Sequence, residues 1–178
     1  MKKLLIILFT FLLCLTAFAQ NQKGEMILSI AVSPYPTTTN NEDDFGALGL
    51  ANFEFFVSNK VSLSGSFFTS NNTLIKNNSD VTIHSYGFVP SIHYYFLNKE
   101  KWNVFAQAGY GFGFEDQTQG YIENSALRVY NIGPGAHYKI GEKLYLKLYL
   151  PYFNARNITL NVDAADGIAV FLGFGFKL

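Results

Sequence analysis

The last residues of the chain, GIAVFLGFGFKL at positions 167–178, alternate between two kinds of side chain. Alternate positions of a strand point to opposite faces of a sheet, so the segment is predicted to be a strand with two different faces. Large apolar side chains form one face: Ile168, Val170, Leu172, Phe174, Phe176 and Leu178. The other face is mostly glycine and small residues. Because chain ends normally fray in water, so regular a terminal strand must be held by neighbouring structure.

The beginning of the chain has the three parts of a secretory signal peptide. Lys2 and Lys3 form a basic start, Leu4 to Leu15 an apolar run, and Ala17-Phe18-Ala19 an A-x-A cleavage site. The run is short for a membrane-spanning helix, which needs about 20 apolar residues. We therefore expect residues 1–19 to be removed before Gln20 during Sec-type export, leaving one domain at 20–178.

Composition narrows the class of protein. The formal net charge of the chain is zero, which gives no reason to expect a nucleic-acid partner. Aromatic residues make up 17% of the chain, and no second long apolar run follows the signal segment. The sequence therefore predicts an exported, aromatic-rich protein without a membrane-spanning helix.

The exported part divides into eight stretches in which apolar and other residues alternate. Their approximate bounds are 24–33, 44–57, 60–70, 81–97, 101–114, 125–140, 143–154 and 166–178. Period-two alternation predicts strands rather than helices. Short connections alternate with long polar ones, as in an up-and-down meander whose two ends face different compartments.

This layout resembles the small outer-membrane β-barrels of the OmpA/OmpX type over the whole exported chain. The resemblance implies an all-β, eight-stranded antiparallel up-and-down transmembrane β-barrel in a Gram-negative outer membrane, with short periplasmic turns and longer extracellular loops. In a closed barrel the last strand pairs on both sides, which explains its regularity. The family's final strand is also the signal for the barrel-insertion machinery, a role that would fall to Phe174, Phe176 and Leu178. Ending on Leu178 departs from the family's usual terminal aromatic residue.

A soluble barrel of the lipocalin kind would show the same alternation with its apolar face inward. A water-exposed face should carry about a quarter charged residues, and the less apolar rows here hold mainly Ser, Gly, Asn, Gln and Tyr. We therefore expect the apolar rows, including Leu144, Leu146, Leu148 and Leu150, to face lipid. Pro90, Pro134 and Pro151 fall within strands, where we expect bulges or breaks because proline cannot donate to the ladder.

Several polar residues fall on rows predicted to face inward at similar heights. They are Glu54, His93, Gln107, His137 and Lys147. A buried charge is costly unless it is paired, so we predict a polar plug in the lumen with Glu54 paired to Lys147. The alternative is that lumen water solvates each group separately.

The sequence predicts no catalytic site, metal site or cofactor. Of the histidines, His93 and His137 lie low in the predicted lumen, and His84 lies on an outward row near the extracellular rim. No nucleophile–base–acid set is apparent along the chain. GYGFGF at 109–114 is glycine alternating with aromatic residues in a strand rather than a nucleotide-binding motif.

Charge separates between the two predicted ends. The long loops are acidic, whereas the short turns contain Lys60, Lys99, Lys101 and Lys143. Solubility is the simpler explanation of the acidic loops; bridging by divalent ions to lipopolysaccharide phosphates is the more specific one. Arg128, on an outward row near the outer rim, is a candidate for direct contact with those phosphates.

The sequence thus predicts a non-enzymatic barrel with a plugged lumen and an envelope-structural or surface-binding role through four extracellular loops. Its expected partners are outer-membrane lipid, lipopolysaccharide and the insertion machinery, and no loop ligand can be named. The alternative is a narrow channel for ions or small solutes, with a water path past Gly109, Gly111, Gly133 and Gly135. Of the three functional hypotheses, an enzymatic activity ranks last.

Overall fold

The computed structural model describes residues 21–39, 42–76, 79–117, 125–159 and 163–178. Within these ranges it places all side chains except those of 35–39, 42–45, 72–76, 79–81, 117 and 163. The predicted signal segment at 1–19 lies outside the described residues. The part of the chain that is described contains no helix with the length and hydropathy of a membrane span.

The described chain forms ten antiparallel strands. They are β1 (Met26–Thr39), β2 (Glu42–Phe56), β3 (Val61–Lys76), β4 (Ser79–Asn98), β5 (Trp102–Gln117), β6 (Ser125–Lys139), β7 (Leu144–Tyr149), β8 (Tyr152–Asn157), β9 (Asp163–Ile168) and β10 (Phe171–Lys177).

These strands close into one barrel. Each strand from β1 to β6 pairs with the next, and β6 pairs with both β7 and β8, which lie end to end. β9 pairs with β8 and β10 with β7, so each end-to-end pair makes one barrel strand and the barrel has eight. β10 then returns to β1 in a ladder from Ile27↔Lys177 to Val32↔Leu172. The predicted eight-stranded antiparallel barrel is confirmed, and its last strand is paired on both sides.

The two ends of the barrel differ. The short connections after β2, β4 and β6 and both described chain ends lie at one end, which we name the turn end. The connections after β1, β3, β5 and β8 lie at the other, which we name the hairpin end.

The strands run farther towards the hairpin end than the sequence predicts. A long loop is predicted at 34–43, yet β1 and β2 stay paired up to Thr39↔Glu42. β3 and β4 likewise stay paired up to Lys76↔Ser79. Polar side chains do not prevent a hairpin ladder, because the ladder pairs backbone groups. The prediction of long loops is therefore wrong at these two connections, whose tips at 40–41 and 77–78 lie outside the described residues.

Two of the three in-strand prolines disturb pairing. Pro151 lies in the interruption between β7 and β8, as predicted. The alignment with β6 is the same on either side of it, from Gly135↔Tyr149 to Ile132↔Tyr152. At Pro90, β4 keeps its alignment with β5, but Val89 and Pro90 have no partner in that ladder.

Pro134 does not interrupt its strand, so the prediction of a bulge or break there is wrong. It lies opposite Ala106 within the continuous β6. Its carbonyl accepts a hydrogen bond from the backbone N–H of Leu150 at 2.9 Å. A proline still contributes an acceptor to the ladder, and here that acceptor holds β6 beside the interruption at Pro151.

Apolar side chains cover the outside of the barrel. Leu148 and Leu172 lie opposite each other on β7 and β10, with 38% and 54% of their surfaces exposed. Their strand neighbours Lys147 and Gly173 point inward and are buried. A soluble barrel would have the reverse arrangement, so the orientation excludes it and fits a barrel immersed in lipid.

Aromatic side chains mark both edges of the apolar surface. At the turn end the rings of Trp102 and Tyr138 are 4.6 Å apart, centroid to centroid. Towards the hairpin end the rings of Tyr130 and Tyr152 are 6.1 Å apart. Such paired girdles are typical of barrels whose edges lie among lipid headgroups.

An arginine in the middle of the apolar surface should destabilise the barrel. Leu148→Arg is expected to lower the free energy of unfolding in lipid vesicles by about 2–4 kcal/mol, since the charge would enter the bilayer core. Ile158→Arg, beyond the girdle of the same barrel strand, is the matched control and should cost about 0–1 kcal/mol. Urea titration of the refolded barrels measures both, and equal losses would contradict the lipid-facing assignment.

Candidate functional site

A carboxylate is buried at the centre of the lumen, towards the turn end. Glu54 on β2 is fully buried, and its Oε1 accepts hydrogen bonds from three side chains. The donors are Ser62 Oγ on β3, and His93 Nδ1, at 2.9 Å, and Tyr95 OH on β4. Glu54, Ser62, His93 and Tyr95 all point into the lumen from the neighbouring strands β2, β3 and β4, because every second residue of a strand faces inward. The three donors can therefore reach the same carboxylate oxygen. Oε1 of the carboxylate thus has three donors that offset part of the cost of its burial, whereas Oε2 has no hydrogen-bond partner.

All five residues of the predicted plug point inward and are buried, but the predicted ion pair is not formed. Within the described residues, the ion pair of Glu54 is with His93, and none joins it to Lys147. Lys147 instead has its Nζ 5.8 Å from the centroid of the Phe105 ring. The pairing prediction is wrong because Lys147 projects towards the Phe105 ring. His93 is on β4, two strands from Glu54 on β2, and its side chain reaches the carboxylate instead.

The other two predicted residues, Gln107 and His137, lie beside this network. Gln107 donates a hydrogen bond from Nε2 to Asn131 Oδ1 at 3.1 Å, above the Glu54 network. His137 lies opposite Lys147 on β6 and packs its ring against those of Phe105 and Tyr95, at 5.0 and 6.1 Å. His93, His137 and Lys147 therefore meet at the Phe105 ring, and Gln107 and Lys147 line one cavity, so the predicted grouping is present without the Glu54–Lys147 ion pair.

The Phe105 ring is the centre of an aromatic layer. It stacks on the His93 ring at 5.0 Å with an interplanar angle of 7°, and lies 5.1 Å from Tyr95 and 6.4 Å from Tyr149. Space for the ring comes from Gly135, where an added Cβ would lie 2.7 Å from Phe105 Cε2. Large side chains facing small ones are how a narrow barrel fills its interior.

Sequence reasoning missed Tyr95 and Phe105 as site residues. Both are fully buried. The available signal was their spacing, since Tyr95 lies two positions from His93 and Phe105 two positions from Gln107. Each therefore shares an inward row with a residue already assigned to the lumen.

A second, apolar layer lies towards the hairpin end. The rings of Phe68 on β3 and Phe153 on β8 meet edge to face with centroids 5.6 Å apart. These are the third and seventh of eight barrel strands, so the two rings come from opposite walls. Leu48, Leu127 and Val129 are buried with them.

Polar groups fill the space between the two layers. Asn52 donates to Ser66 Oγ at 2.8 Å, and Ser29 donates to Asn52 Oδ1 at 3.4 Å. Beside them a cavity has about 10 Å³ of space for the centre of a water molecule and is also lined by Gln107 and Lys147. A cavity of that size holds about one water molecule.

Three asparagines meet at the turn end of the lumen. Asn21, before β1, donates its backbone N–H to Asn98 Oδ1 at 3.2 Å, and its Oδ1 accepts from Asn103 Nδ2 at 3.0 Å. Asn98 reaches inward because the register of β4 against β5 shifts between Tyr95 and Leu97. Such a bulge reverses the facing of the residues after it. Alternation alone predicts that Asn98 faces outward, so the sequence did not reveal these hydrogen bonds.

The lumen contains a nucleophile–base–acid arrangement that the sequence alone does not predict. Ser64 Oγ lies 3.0 Å from His93 Nε2, and His93 Nδ1 contacts Glu54. The order matches that of a serine-hydrolase triad, assembled from three separate strands. Ser64 is nevertheless buried within the barrel, and the nearby cavity has room for about one water rather than a substrate. We therefore interpret the arrangement as part of the hydrogen-bond network around Glu54.

The remaining predicted residues lie on the outer surface. Arg128 is exposed on β6, directly opposite Arg156 on β8. His84 is on the outward row of β4, where its Nδ1 contacts Asn71 of β3. Phe174, Phe176 and Leu178 are exposed along the last strand and beyond its end. In the described part of the chain, no three His, Cys, Asp or Glu side chains group as a metal site.

Comparison with known proteins identifies the fold. No protein-family model and no curated protein matches the sequence. Among solved structures, Neisserial surface protein A matches with a TM-score of 0.61 and 13% identity over 89% of this chain and 99% of its own. The attachment invasion locus protein Ail of Yersinia pestis matches at 0.59 and 14%, over 88% of this chain and all of its own. The outer membrane protein OprG of Pseudomonas aeruginosa matches at 0.59 and 12%, over 90% and 99%.

At these identities the matches show the fold alone. The chain shares the architecture of small eight-stranded outer-membrane barrels from end to end of the described residues. Together with its exposed apolar surface, this makes the chain a transmembrane barrel of the outer-membrane type.

Removing the charge of Glu54 should cost far more than removing that of Glu25. Glu54→Gln is expected to lower the free energy of unfolding by about 3 kcal/mol or more, because it replaces a fully buried carboxylate oxygen that accepts hydrogen bonds from three side chains. Glu25→Gln is the matched control, since its pair with Lys177 is partly exposed, and it should cost about 1 kcal/mol or less. Similar values from urea unfolding would show that Glu54 does not organise the lumen.

A side chain at Gly135 should conflict with the Phe105 ring. Gly135→Ala is expected to cost about 1–3 kcal/mol by overpacking, and less when Phe105→Leu is also present. Gly141→Ala serves as the control, because a Cβ there would meet nothing within 4 Å. Unfolding of the four barrels in a double-mutant cycle measures the coupling, and additive costs would contradict the contact.

Proposed function

We propose that this barrel is an integral protein of a Gram-negative outer membrane whose lumen is closed. Its role is then structural, in the envelope, or one of binding at the cell surface through its four extracellular connections. In this orientation the turn end faces the periplasm and the hairpin end faces outward, as is usual for barrels with short turns at one end. Sec-type export of the precursor would deliver it.

The meeting of Phe68 and Phe153 carries this proposal. Two aromatic rings from opposite walls come within 5.6 Å, centroid to centroid, in the upper half of the lumen. The second layer, around Phe105, lies below them. Eight-stranded barrels have interiors just wide enough for side chains to fill, and these layers fill this one.

A channel finds less support from the same geometry. The predicted water path follows Gly109, Gly111, Gly133 and Gly135, but the Phe105 ring covers Gly135. An added Cβ at Gly133 would lie 2.6 Å from the Cα of Pro151, so that glycine faces a neighbouring strand closely. The glycines serve close packing of side chain and backbone, and we therefore rank the channel second.

Binding at the surface is supported by the form of the hairpin end. In the β1–β2 and β3–β4 hairpins the barrel ladder continues until two residues remain between the paired strands. Paired strands present side chains on a stiffer frame than free loops do, which lowers the entropy lost on binding. The acidic residues there favour a cationic partner or divalent ions, whose identity the chain does not specify.

Two partners belong to the membrane itself. We propose that Arg128 contacts lipopolysaccharide phosphate, since its guanidinium is exposed outward and lies opposite Arg156. The exposed Phe174, Phe176 and Leu178 would serve recognition by the insertion machinery.

The burial of Ser64 supports a non-enzymatic role. The triad-like contact to His93 and Glu54 is present, but Ser64 is buried inside the barrel. Catalysis needs a site beside the nucleophile where a reacting group can be positioned, and the cavity in this part of the lumen, which Ser64 does not line, offers space for about one water.

The refolded barrel should show no ion conductance in a planar lipid bilayer. Conductance is measured on the exported chain, with folding confirmed by heat-sensitive gel mobility. Phe68→Ala with Phe105→Ala and Phe153→Ala should introduce steady conductance, because it removes rings from both layers. The control removes three lipid-facing rings instead, as Phe67→Ala, Phe112→Ala and Phe174→Ala, and should remain silent. Steady conductance from the unaltered barrel would overturn the closed lumen and favour the channel.

A further inference from the structure

Charged residues are segregated along the barrel axis. By sequence position, the turn end carries seven lysines and three glutamates, Glu25, Glu100 and Glu142. Lys177 is paired with Glu25, and we name the other six the lysine collar: Lys23, Lys60, Lys99, Lys101, Lys139 and Lys143. The hairpin end carries nine Asp and Glu residues but only Lys76, Arg128 and Arg156 as cations.

Backbone contacts distribute the lysine collar around the whole rim. The N–H of Lys139 donates to the carbonyl of Lys101 at 2.9 Å, and that of Lys177 donates to the carbonyl of Lys143 at 2.8 Å. On the other side, the N–H of Lys23 donates to the side chain of Asn59, beside Lys60. All three turns at this end and the segment before the first strand thus contribute a cation to the lysine collar.

The lysine collar lies at the edge of the apolar surface. Lys143 Nζ is 5.7 Å from the ring centroid of Phe176, a lipid-facing side chain. Trp102 and Tyr138, the girdle at this end, directly adjoin Lys101 and Lys139 in sequence. Girdle aromatics lie at the level of lipid headgroups, so the ammonium groups lie at the depth of the headgroup phosphates.

We propose that the lysine collar binds the phosphates of anionic phospholipids in the leaflet at the turn end, and thereby fixes the depth of the barrel. This inference rests on the proposed membrane location and adds a partner for the periplasmic side. A ring of flexible ammonium groups suits phosphates that are mobile in the membrane plane, because each lysine acts as a point charge without a fixed geometry. The acidic hairpin end would repel the same lipids, so the charge distribution also favours one orientation.

The test uses the exported chain refolded into phosphatidylcholine vesicles with and without phosphatidylglycerol. Phosphatidylglycerol should raise the urea midpoint of the unaltered barrel, and added salt should reduce this shift by screening. The variant K60Q/K99Q/K101Q should lose most of the shift. K60R/K99R/K101R keeps the charges and should retain it.

A charge-matched control separates the lysine collar from net charge. K76Q/N77D/N78D lowers the net charge by the same three units at the opposite end, away from the lysine collar, and should keep clearly more of the shift than K60Q/K99Q/K101Q. Equal shifts in this control and in K60Q/K99Q/K101Q would overturn the proposal. So would a shift of the same size produced by inorganic phosphate, which would indicate an anion site rather than a lipid site.

Failure here is distinguishable from failure of the closed barrel. Heat-sensitive gel mobility and silence in phosphatidylcholine alone report on folding and closure without any anionic lipid. A folded barrel that does not conduct ions and whose urea midpoint is unchanged by phosphatidylglycerol would contradict the lipid site and leave the proposed closure intact.

Discussion

The structure depends on one constraint, that no backbone N–H or C=O group is left unpaired in lipid. The ladder between β1 and β10 meets it by joining the last strand to the first, from Ile27↔Lys177 to Val32↔Leu172. Closure at eight strands then fixes a narrow interior. The inward row of every strand consequently meets side chains from the opposite wall. The contacts between side chains of opposite walls, the small residues on the inward rows and the apolar exterior all follow from this closure.

Within that narrow interior, polar and aromatic side chains pack in contact with each other. Glu54 cannot be solvated by bulk water, so His93, Tyr95 and Ser62 surround it. Two of these donors are rings, and the His93 ring also stacks on Phe105. The charge network and the aromatic layer are therefore one structure: the rings that exclude water from the carboxylate also carry the groups that replace it.

Alternation in the sequence predicts which face a residue is on, and little more. It correctly places Leu144, Phe174 and the five lumen residues, because facing depends only on local strand geometry. It does not predict which inward side chains touch, since that depends on reach across the barrel. Hence Glu54 meets His93, two strands away, and not Lys147. It also fails where the period is broken, as at the bulge that turns Asn98 inward, and where polar residues continue a ladder, as in the β1–β2 hairpin.

Asn21 has a consequence for the order in which the molecule is completed. Its partners Asn98 and Asn103 are 77 and 82 positions away along the chain. Contacts this distant form only after the loop between them has been closed, which makes them late in folding. Asn21 therefore binds only after the middle of the chain has taken its place in the barrel. Its contacts at the turn end report on completed assembly, because they require strands that are far apart in sequence to be in register.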